Sequence, residues 1–328
     1  MLQSGEPAAR SALVREGVAI LMTPLDLLLQ ALETKLLTQT HTTDLPIILV
    51  VGLPRSGSTL VYQTLAQSLP VSFFTNLSAL FPRAPITISR RLDLSCQYRS
   101  LDFHNFYGNT TGWAAPNDGF HIWNRWLGHD RYTVPQQLSL EGQAQMRTFF
   151  TAWLAVMGQP LLNKNNRNTA GMSLLSQILD NLWFIVVHRE PLYVAQSLLI
   201  AREKVQGNRA ISWGLGTESA AKPALDPFED VAAQVARISQ DLALQQLECE
   251  GDRLVEVSYE QFCANPRAIV CQIYKTIWGP HADPSMIHPP QQPFQCGNRN
   301  QLPLAEFQRL QAAVDAMVSD RPSAIALG

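Results

Sequence analysis

The sequence is poor in cysteine and in charge, and each shortage excludes a class of protein. Its five cysteines are odd in number and never have C-x-x-C spacing. They therefore predict neither a disulfide framework nor a zinc site, and they are typical of a reduced compartment. Charged residues make up only 16% of the chain and the formal net charge is −2. Such a chain has no global attraction for nucleic acid or for an anionic membrane, so any anionic ligand must be bound by local groups.

The N-terminal region lacks the charged-then-apolar pattern and small-residue cleavage site of a secretory signal. The apolar stretch 18–37 is interrupted by Pro24, Asp26 and Glu33, which makes it a poor membrane span. We therefore expect a cytoplasmic protein without an integral membrane span.

The same stretch nevertheless predicts a helix. The segment 23–26, Thr-Pro-Leu-Asp, is typical of a helix start with proline at the first position. Apolar residues follow the helical repeat: Val18, Leu21, Leu25, Leu28, Leu32 and Leu36. We interpret this as a helix that packs on the core through these residues. A helix that lies on a membrane surface or against a partner is the alternative.

The most informative segment is LPIILVVGLPRSGSTLVYQTLA, residues 45–66. An apolar run stops at Gly52, a short polar loop follows, and Ser58 leads into an apolar-periodic helix. A buried strand, a tight turn and a helix start present backbone N–H groups and a positive helix end to an anion. The loop has the G-x-x-x-x-G-S-T spacing of a Walker A loop, but Ser58 stands where an NTPase carries lysine. This pattern indicates a ligand with phosphates but without a γ-phosphate.

A second strand, at 183–187, ends in His-Arg-Glu-Pro. Arg189 therefore lies at the carboxyl edge of the predicted sheet, where open α/β sheets bind ligands. Ser197 follows eight positions later, about two turns into the next helix. An arginine fork and a hydroxyl at that separation can both reach one phosphate.

Apolar strands alternate with helical patterns along the chain. Strands are predicted at 47–51, 71–75, 160–164, 183–187 and 254–257. This alternation predicts an α/β fold with a doubly wound parallel sheet flanked by helices. We expect a single domain over 1–328, with a helical extension at 1–44. An irregular insert at 76–137, rich in aromatic residues, is expected to bind the acceptor.

The segments VVGLPRSGSTL and FIVVHREPLYVAQSLL resemble the two signature segments of P-loop sulfotransferases, which use 3′-phosphoadenosine 5′-phosphosulfate (PAPS). The resemblance continues in LLNKNNRNT and VEVSYEQFCANP and runs in order from about residue 45 to 317. It is nearest to bacterial-type members with arginine in the loop, and it departs in Glu190, where aspartate is usual. It implies a P-loop-type fold and in-line, metal-independent transfer of a sulfuryl group from PAPS. The acceptor would be a hydroxyl, or alternatively an amine, of a small-molecule or lipid-like compound, and the nucleotide product would be the 3′,5′-bisphosphate PAP.

The resemblance also implies roles for individual residues. Arg55 would contact the sulfonate and its bridging oxygen, and Lys164 would assist with charge. The 5′ end would be held by Arg55, Ser56, Gly57, Ser58 and Thr59. The 3′-phosphate and adenosine would be held by Arg189, Ser197, Tyr259 and Arg299.

The acceptor must lose a proton, which requires a general base. Histidine, with an ordinary pKa near 6.5, suits this role. The candidates in the insert are His121 first and Asp118 second, with His104 and His129 as alternatives. Tryptophan and phenylalanine in the insert indicate an apolar acceptor pocket, and oligomeric state stays open.

Two other functions are compatible with parts of the pattern. An NTP-dependent kinase would require lysine in the loop and a strand that ends in a metal-binding aspartate, whereas this chain has Ser58 and Arg189. A non-catalytic nucleotide-binding relative of the enzyme would lack a general base.

Overall fold

A parallel sheet lies at the centre of the molecule, as the alternation of strands and helices predicts. The computed structural model describes residues 7–92, 105–106, 109–110, 112–130, 133–215, 226–249 and 253–319. Strands β1 to β6 span, in order, Ile47–Gly52, Asn105–Phe106, Asn109–Thr110, Leu161–Asn163, Leu182–His188 and Leu254–Ser258. The central sheet is four-stranded and all-parallel in the order β4-β1-β5-β6, and β2 and β3 form a separate antiparallel pair.

Helices cover both faces of this sheet. Helices α1 to α12 span, in order, Pro7–Leu37, Ser58–Ser68, Pro85–Leu92, Phe120–Leu127, Leu140–Met157, Asn166–Ala170, Met172–Ile178, Pro191–Gln206, Pro227–Glu248, Tyr259–Ala264, Pro266–Trp278 and Leu304–Ser319. Short 3₁₀ turns occur at Ser78–Leu80 and Pro284–Met286. Within the described ranges, no helix combines the length and apolarity needed to cross a membrane.

The apolar run of β1 is continuous because both faces of the strand are buried. Alternate side chains point to opposite faces. Leu49 and Val51 join a core cluster with helices α5, α8 and α9, whereas Ile48 and Val50 join a second cluster with α2 and α11. The chain passes from β1 to β4 on one side and then to β5 on the other, so the carboxyl end of β1 lies at the topological switch point. Ligands of doubly wound folds bind at this position.

Two local predictions are wrong. The strand predicted at 71–75 is reduced to isolated bridges, at Ser72 with Leu161 and at Thr75 with Pro116. Helix α1 does not begin at Pro24 but continues through it. Within the insert, the structure adds two short helices, α3 and α4, that the sequence did not predict.

The inward face of α1 also differs from the prediction. Its buried residues include the carboxylates Asp26 and Glu33, whereas Leu21 and Leu28 are exposed. The carboxylates accept hydrogen bonds from backbone N–H groups of residues 83–87. The apolar spacing predicted the helix correctly, but these polar contacts determine which side of it faces the protein.

Candidate functional site

The loop after β1 is shaped by two glycines that no other residue could replace without strain. Gly52 has φ 143°, and a Cβ there would lie 2.5 Å from the carbonyl oxygen of Val187 on the neighbouring strand. Gly57, the N-cap of α2, has φ 91°, and its Cβ would lie 2.2 Å from the ring of Tyr259. The loop is therefore pressed against β5 and α10. The first N–H groups of α2, which have no partner within the helix, face outward from it.

Arg55 is the centre of this loop and connects it to the end of β5. Its backbone is left-handed, with φ 72°. Its Nε donates a hydrogen bond to Ser197 Oγ on α8 at 3.0 Å. Its carbonyl oxygen accepts from Nη1 of Arg189 at 2.9 Å. The structure thus brings together three residues that the sequence predicted to share one ligand.

Arg189 is held on three sides. Its guanidinium lies 4.6 Å from the centre of the Tyr259 ring, and its Nε donates to Asn298 Oδ1 at 2.8 Å. Asn298 donates in turn to Glu260, which also accepts from the backbone N–H of Glu190. Burial raises the pKa of Glu260, but these hydrogen bonds outweigh that effect and lower the pKa below its ordinary value. Glu260 therefore stays ionised and fixes Asn298 against Arg189.

Tyr259 borders the site next to the C-terminal loop, the segment 296–300 that precedes α12. Its hydroxyl accepts a hydrogen bond from the N–H of Gly297 at 3.1 Å. Burial raises the pKa of Tyr259 to about 12, so the phenol stays neutral at physiological pH. A Cβ at Gly297 would lie 3.3 Å from Nη2 of Arg189, so the loop backbone approaches both side chains closely.

Lys164 follows β4 and adds a buried cation to the two partly buried arginines, Arg55 and Arg189. Burial is the main cause that lowers the pKa of Lys164; the carboxylate of Asp118 opposes it and the positive charge of Arg55 adds to it, so that the pKa falls from 10.5 to about 8. Asp118 is itself oriented from two directions. Its Oδ1 accepts from the N–H of Phe120 at 3.0 Å, and its carbonyl oxygen accepts from Asn165 Nδ2 at 3.2 Å. Asp118 therefore lies within electrostatic range of Lys164.

These groups surround a cleft of about 250 Å³. It is lined by Pro54, Arg55, Gly57, Ser58, Thr59, Leu60, Lys164, Asn166, Arg189, Trp213 and Tyr259. A larger, separate cavity lies between α1 and α3 and contains none of the predicted site residues. The small cleft, with its three cations and exposed helix N-terminus, is therefore the candidate functional site.

Several predicted residues lie outside the lining of this cleft. Ser56 is buried beneath the loop, and its hydroxyl has no hydrogen-bond partner within the described parts of the chain. Arg299 is exposed, and its carbonyl oxygen accepts from Gln196. His121 is exposed on the first turn of α4, and His129 is exposed beside Asn124. His104 lies outside the described residues.

Sequence reasoning missed the groups that attach α6 to the site. The hydroxyl of Thr169 accepts from the N–H of Gly52 at 3.1 Å and donates to its carbonyl oxygen at 3.0 Å. Arg167 is fully buried and donates to the carbonyl oxygens of Gly128 and Phe120. The polar run after β4, NKNNRNT, was the available signal, because so many polar residues after a buried strand require partners.

Two tryptophans in the described part of the insert belong to the core. Trp123 and Trp126 pack against Phe149 and Phe150 of α5 and are buried. Trp113 is exposed. Among the aromatic residues of the described regions, Trp213 and Tyr259 are the ones that line the cleft. Trp123 and Trp126 therefore contribute to the core rather than to the lining of the cleft.

Across the described residues, no group of three or more His, Cys, Asp or Glu side chains has a metal-binding arrangement.

Comparisons with known proteins agree with this architecture. A family model described as the sulfotransferase family matches residues 46–282. A search of curated protein sequences finds no significant match. The fold is similar to that of sulfotransferase STF9 from Mycobacterium avium, with a TM-score of 0.52 and 13% identity over 90% of this chain and 72% of that chain. It is also similar to sulfotransferase STF1 from Mycobacterium tuberculosis H37Rv, with a TM-score of 0.51 and 13% identity over 81% of this chain and 76% of that chain. At such low identity these two structures show a shared fold alone.

Proposed function

The chain belongs to the sulfotransferase family, and we propose that it transfers a sulfuryl group from PAPS to a hydroxyl group, or alternatively an amine, of a small-molecule or lipid-like acceptor. The observation that carries this proposal is a cluster of contacting side chains: Arg55, Arg189 and Tyr259 line the cleft. Ser197 is attached to them through its hydrogen bond with Arg55. A nucleotide with an anionic group at each end needs two separate anion-binding points, and this cluster joins two of them.

The first anion-binding point is the glycine loop with the N-terminus of α2. We propose that Gly57, Ser58 and Thr59 hold the 5′-phosphate of PAPS through N–H groups and hydroxyls. Their position on the cleft supports this role. Ser56 is buried beneath the loop, so its contribution would come from its backbone.

The second point is the end of β5. We propose that Arg189 and Ser197 hold the 3′-phosphate. The Tyr259 ring would lie beside the adenosine, and Arg299 would contribute to the same end of the nucleotide from the loop that precedes α12. Arg189 keeps one nitrogen on the carbonyl of Arg55 and another on Asn298. Such fixed guanidinium groups bind phosphate with directional, charge-assisted hydrogen bonds.

Sulfuryl transfer develops negative charge on the oxygen that leaves with the nucleotide. Catalysis of this kind depends on placement and on fixed positive charge. We propose that Arg55 and protonated Lys164 supply that charge, because both line the cleft and influence each other electrostatically. The reaction would be in-line and independent of a metal ion.

We propose Asp118 as the general base. It is exposed, it interacts with Lys164, and its orientation is fixed by Phe120 and Asn165. His121, the first choice from the sequence, lies three residues further on at the start of α4 and is the alternative. The region 76–137 would then border the acceptor.

Two further expectations remain proposals. A cytoplasmic location is supported by the four described cysteines, Cys249, Cys263, Cys271 and Cys296, which are free thiols. A single domain over 1–328, with 1–44 as an N-terminal extension, is supported by the packing of α1 on α3 and α5.

Ligand-dependent thermal unfolding tests the donor proposal. PAP should raise the melting temperature, because a ligand that binds the folded state alone stabilises it. ATP with Mg²⁺ should not, since Ser58 replaces the lysine that holds a γ-phosphate. Stabilisation by ATP and not by PAP would refute the proposal and favour a kinase.

A transfer assay with sulfur-labelled PAPS and a panel of alcohols and amines then tests catalysis. Product with any acceptor supports an enzyme. Binding of PAP without transfer to any acceptor would favour the non-catalytic alternative.

A further inference from the structure

Helix α1 has an unusual distribution of polar and apolar residues. It buries Asp26 and Glu33, each with only 1% exposure, and leaves Leu21 and Leu28 exposed at 74% and 73%. Residues spaced by three and four lie on one side of a helix. The exposed residues at this spacing are Leu21, Leu25, Leu28 and Leu32, and we call them the leucine stripe.

The buried side of α1 cannot exchange places with the stripe. Asp26 accepts a hydrogen bond from the N–H of Arg83 at 3.1 Å. Glu33 accepts from the N–H groups of Ile86 and Thr87, at 3.0 and 2.8 Å, and from the Thr87 hydroxyl. Rotation of the helix to bury its leucines would leave these backbone donors without acceptors. The exposure of the stripe is therefore built into the fold.

A basic groove continues the stripe at its C-terminal end. The groove lies between α1 and α3 and has a volume of about 530 Å³. It is lined by Leu32, Lys35, Leu36, Gln39, Thr87, Arg90 and Arg91. Lys35, Arg90 and Arg91 are exposed, and in the described parts of the chain no carboxylate forms an ion pair with them. Leu32 belongs to both features, so apolar and cationic surface are contiguous.

We propose that the leucine stripe and the basic groove together bind the surface of an anionic lipid bilayer. An amphipathic helix with leucines on one side and adjacent basic residues lies in the interface, where the leucines enter the acyl boundary and the cations contact anionic headgroups. The cavity between Leu32, Leu36 and the two arginines accommodates one headgroup with the start of its chain. The proposal does not depend on the proposed enzymatic reaction.

The distribution of charge favours an anionic membrane over a second copy of the chain as the partner of the stripe and the groove. Between residues 18 and 37 the acidic side chains are Asp26 and Glu33, and both are buried. The exposed side of this part of α1 therefore carries Lys35 and no carboxylate. Two copies that paired through the stripe would bring cations near cations without an acidic partner, whereas an anionic bilayer complements the whole surface.

Vesicle flotation with the full chain tests this proposal. The protein should float with vesicles of phosphatidylcholine mixed with phosphatidylglycerol, and much less with phosphatidylcholine alone. The double variant Leu21→Gln/Leu28→Gln should bind the anionic vesicles about tenfold more weakly or worse, since it removes apolar surface that enters the bilayer. The triple variant Lys35→Gln/Arg90→Gln/Arg91→Gln should bind about 100-fold more weakly.

The matched control is Leu244→Gln/Leu247→Gln on α9, where both leucines are also exposed; it should bind like the unchanged protein. Thermal stabilisation by PAP should persist in all variants, which separates this test from the nucleotide site. Failure to bind anionic vesicles would overturn the proposal. So would a dimer in sedimentation velocity that the Leu21→Gln/Leu28→Gln variant dissociates, because a second copy would then cover the stripe.

Discussion

Arg189 joins three separate parts of the chain through one planar side chain. It donates to the loop after β1 and to the C-terminal loop, and it stacks on a ring of α10. Lysine at this position could replace the charge but not these directions, because its donors do not form a fixed fork. The site is therefore most sensitive at this residue.

Arg189→Ala should weaken PAP binding by roughly 2–5 kcal/mol, because the phosphate would lose the charged, hydrogen-bonding partner that we propose for it. Titration calorimetry measures this. The comparison variant Arg299→Ala changes an exposed arginine and should cost less than about 1 kcal/mol. Unchanged affinity in Arg189→Ala would mean that the 3′-phosphate binds elsewhere.

Asp118→Asn should lower kcat about 100-fold or more, because an amide cannot accept the acceptor's proton. Asparagine keeps a side-chain oxygen for the Phe120 N–H, so the local fold should persist. His121→Gln should leave kcat nearly unchanged. Steady-state kinetics with PAPS measures kcat for both variants. A large loss in His121→Gln with little loss in Asp118→Asn would assign the base to His121.

Lys164 should make PAP binding depend on pH. Its pKa is lowered by burial from 10.5 to about 8, so the folded protein loses this charge as the pH rises through about 8. PAP affinity should fall over the same interval. The variant Lys164→Gln should show weaker binding and a flatter profile, and an unchanged profile would place the lysine outside the site.

The same shift has a consequence for stability. Between about 8 and 10.5 the unfolded chain binds the proton that the folded chain has released. The contribution of Lys164 to the free energy of unfolding therefore rises with pH across this window. Lys164→Gln should remove that contribution.

At the scale of elements, the strands and helices follow local patterns, but their orientation depends on contacts from elsewhere. Helix α1 shows this most clearly. Its apolar spacing predicted that the leucines face the core, but Asp26 and Glu33 occupy the buried side and the leucines face outward. Glu33 in effect caps α3, since it accepts from the N–H groups of the first turn of that helix.

Glu33→Ala should destabilise the protein by roughly 1–3 kcal/mol, because two buried backbone donors would lose their acceptor. Urea unfolding measures the change. Glu248→Ala, at an exposed position near the end of α9, is the control and should be nearly neutral. Equal stability of the two variants would show that the Glu33 contacts contribute little.

At the scale of the whole molecule, an ion pair between a buried arginine and a partly exposed aspartate connects the helical layer to the cleft. Arg202 of α8 is fully buried and lies 2.6 Å from the carboxylate of Asp230 on α9. Arg202 also donates to Gln234, which donates to the carbonyl oxygens of Trp213 and Leu215. Trp213 lines the cleft, so this network links global stability to the site.

Asp230→Ala should lower the free energy of unfolding by about 3 kcal/mol, because Arg202 would remain buried without its counter-charge. The urea midpoint should fall with little change in slope if the chain unfolds cooperatively. Asp241→Ala, exposed on the same helix, should have little effect. A separate early transition would show instead that α8 and α9 unfold on their own.

Local patterns of amino acids are sufficient to predict the parallel sheet, most helix boundaries and the glycine loop, because these depend on apolar period, caps and turn residues close together in the chain. The resemblance to sulfotransferase segments also predicted one shared site for Arg55, Arg189, Ser197 and Tyr259, and these side chains are connected by contacts in the structure. The sequence could not place Trp123 and Trp126 of the insert, which pack into the core against α5.

Tertiary structure alone decided which polar groups meet across long separations. Asn298 and Glu260 hold Arg189, Asp118 lies near Lys164, and Glu33 turns α1 so that its leucines face outward. Each outcome depends on a buried donor or charge that must find a partner, and the partner comes from a distant part of the chain. Local spacing carries no information about such pairs, because they exist only once the sheet has brought its strand ends together.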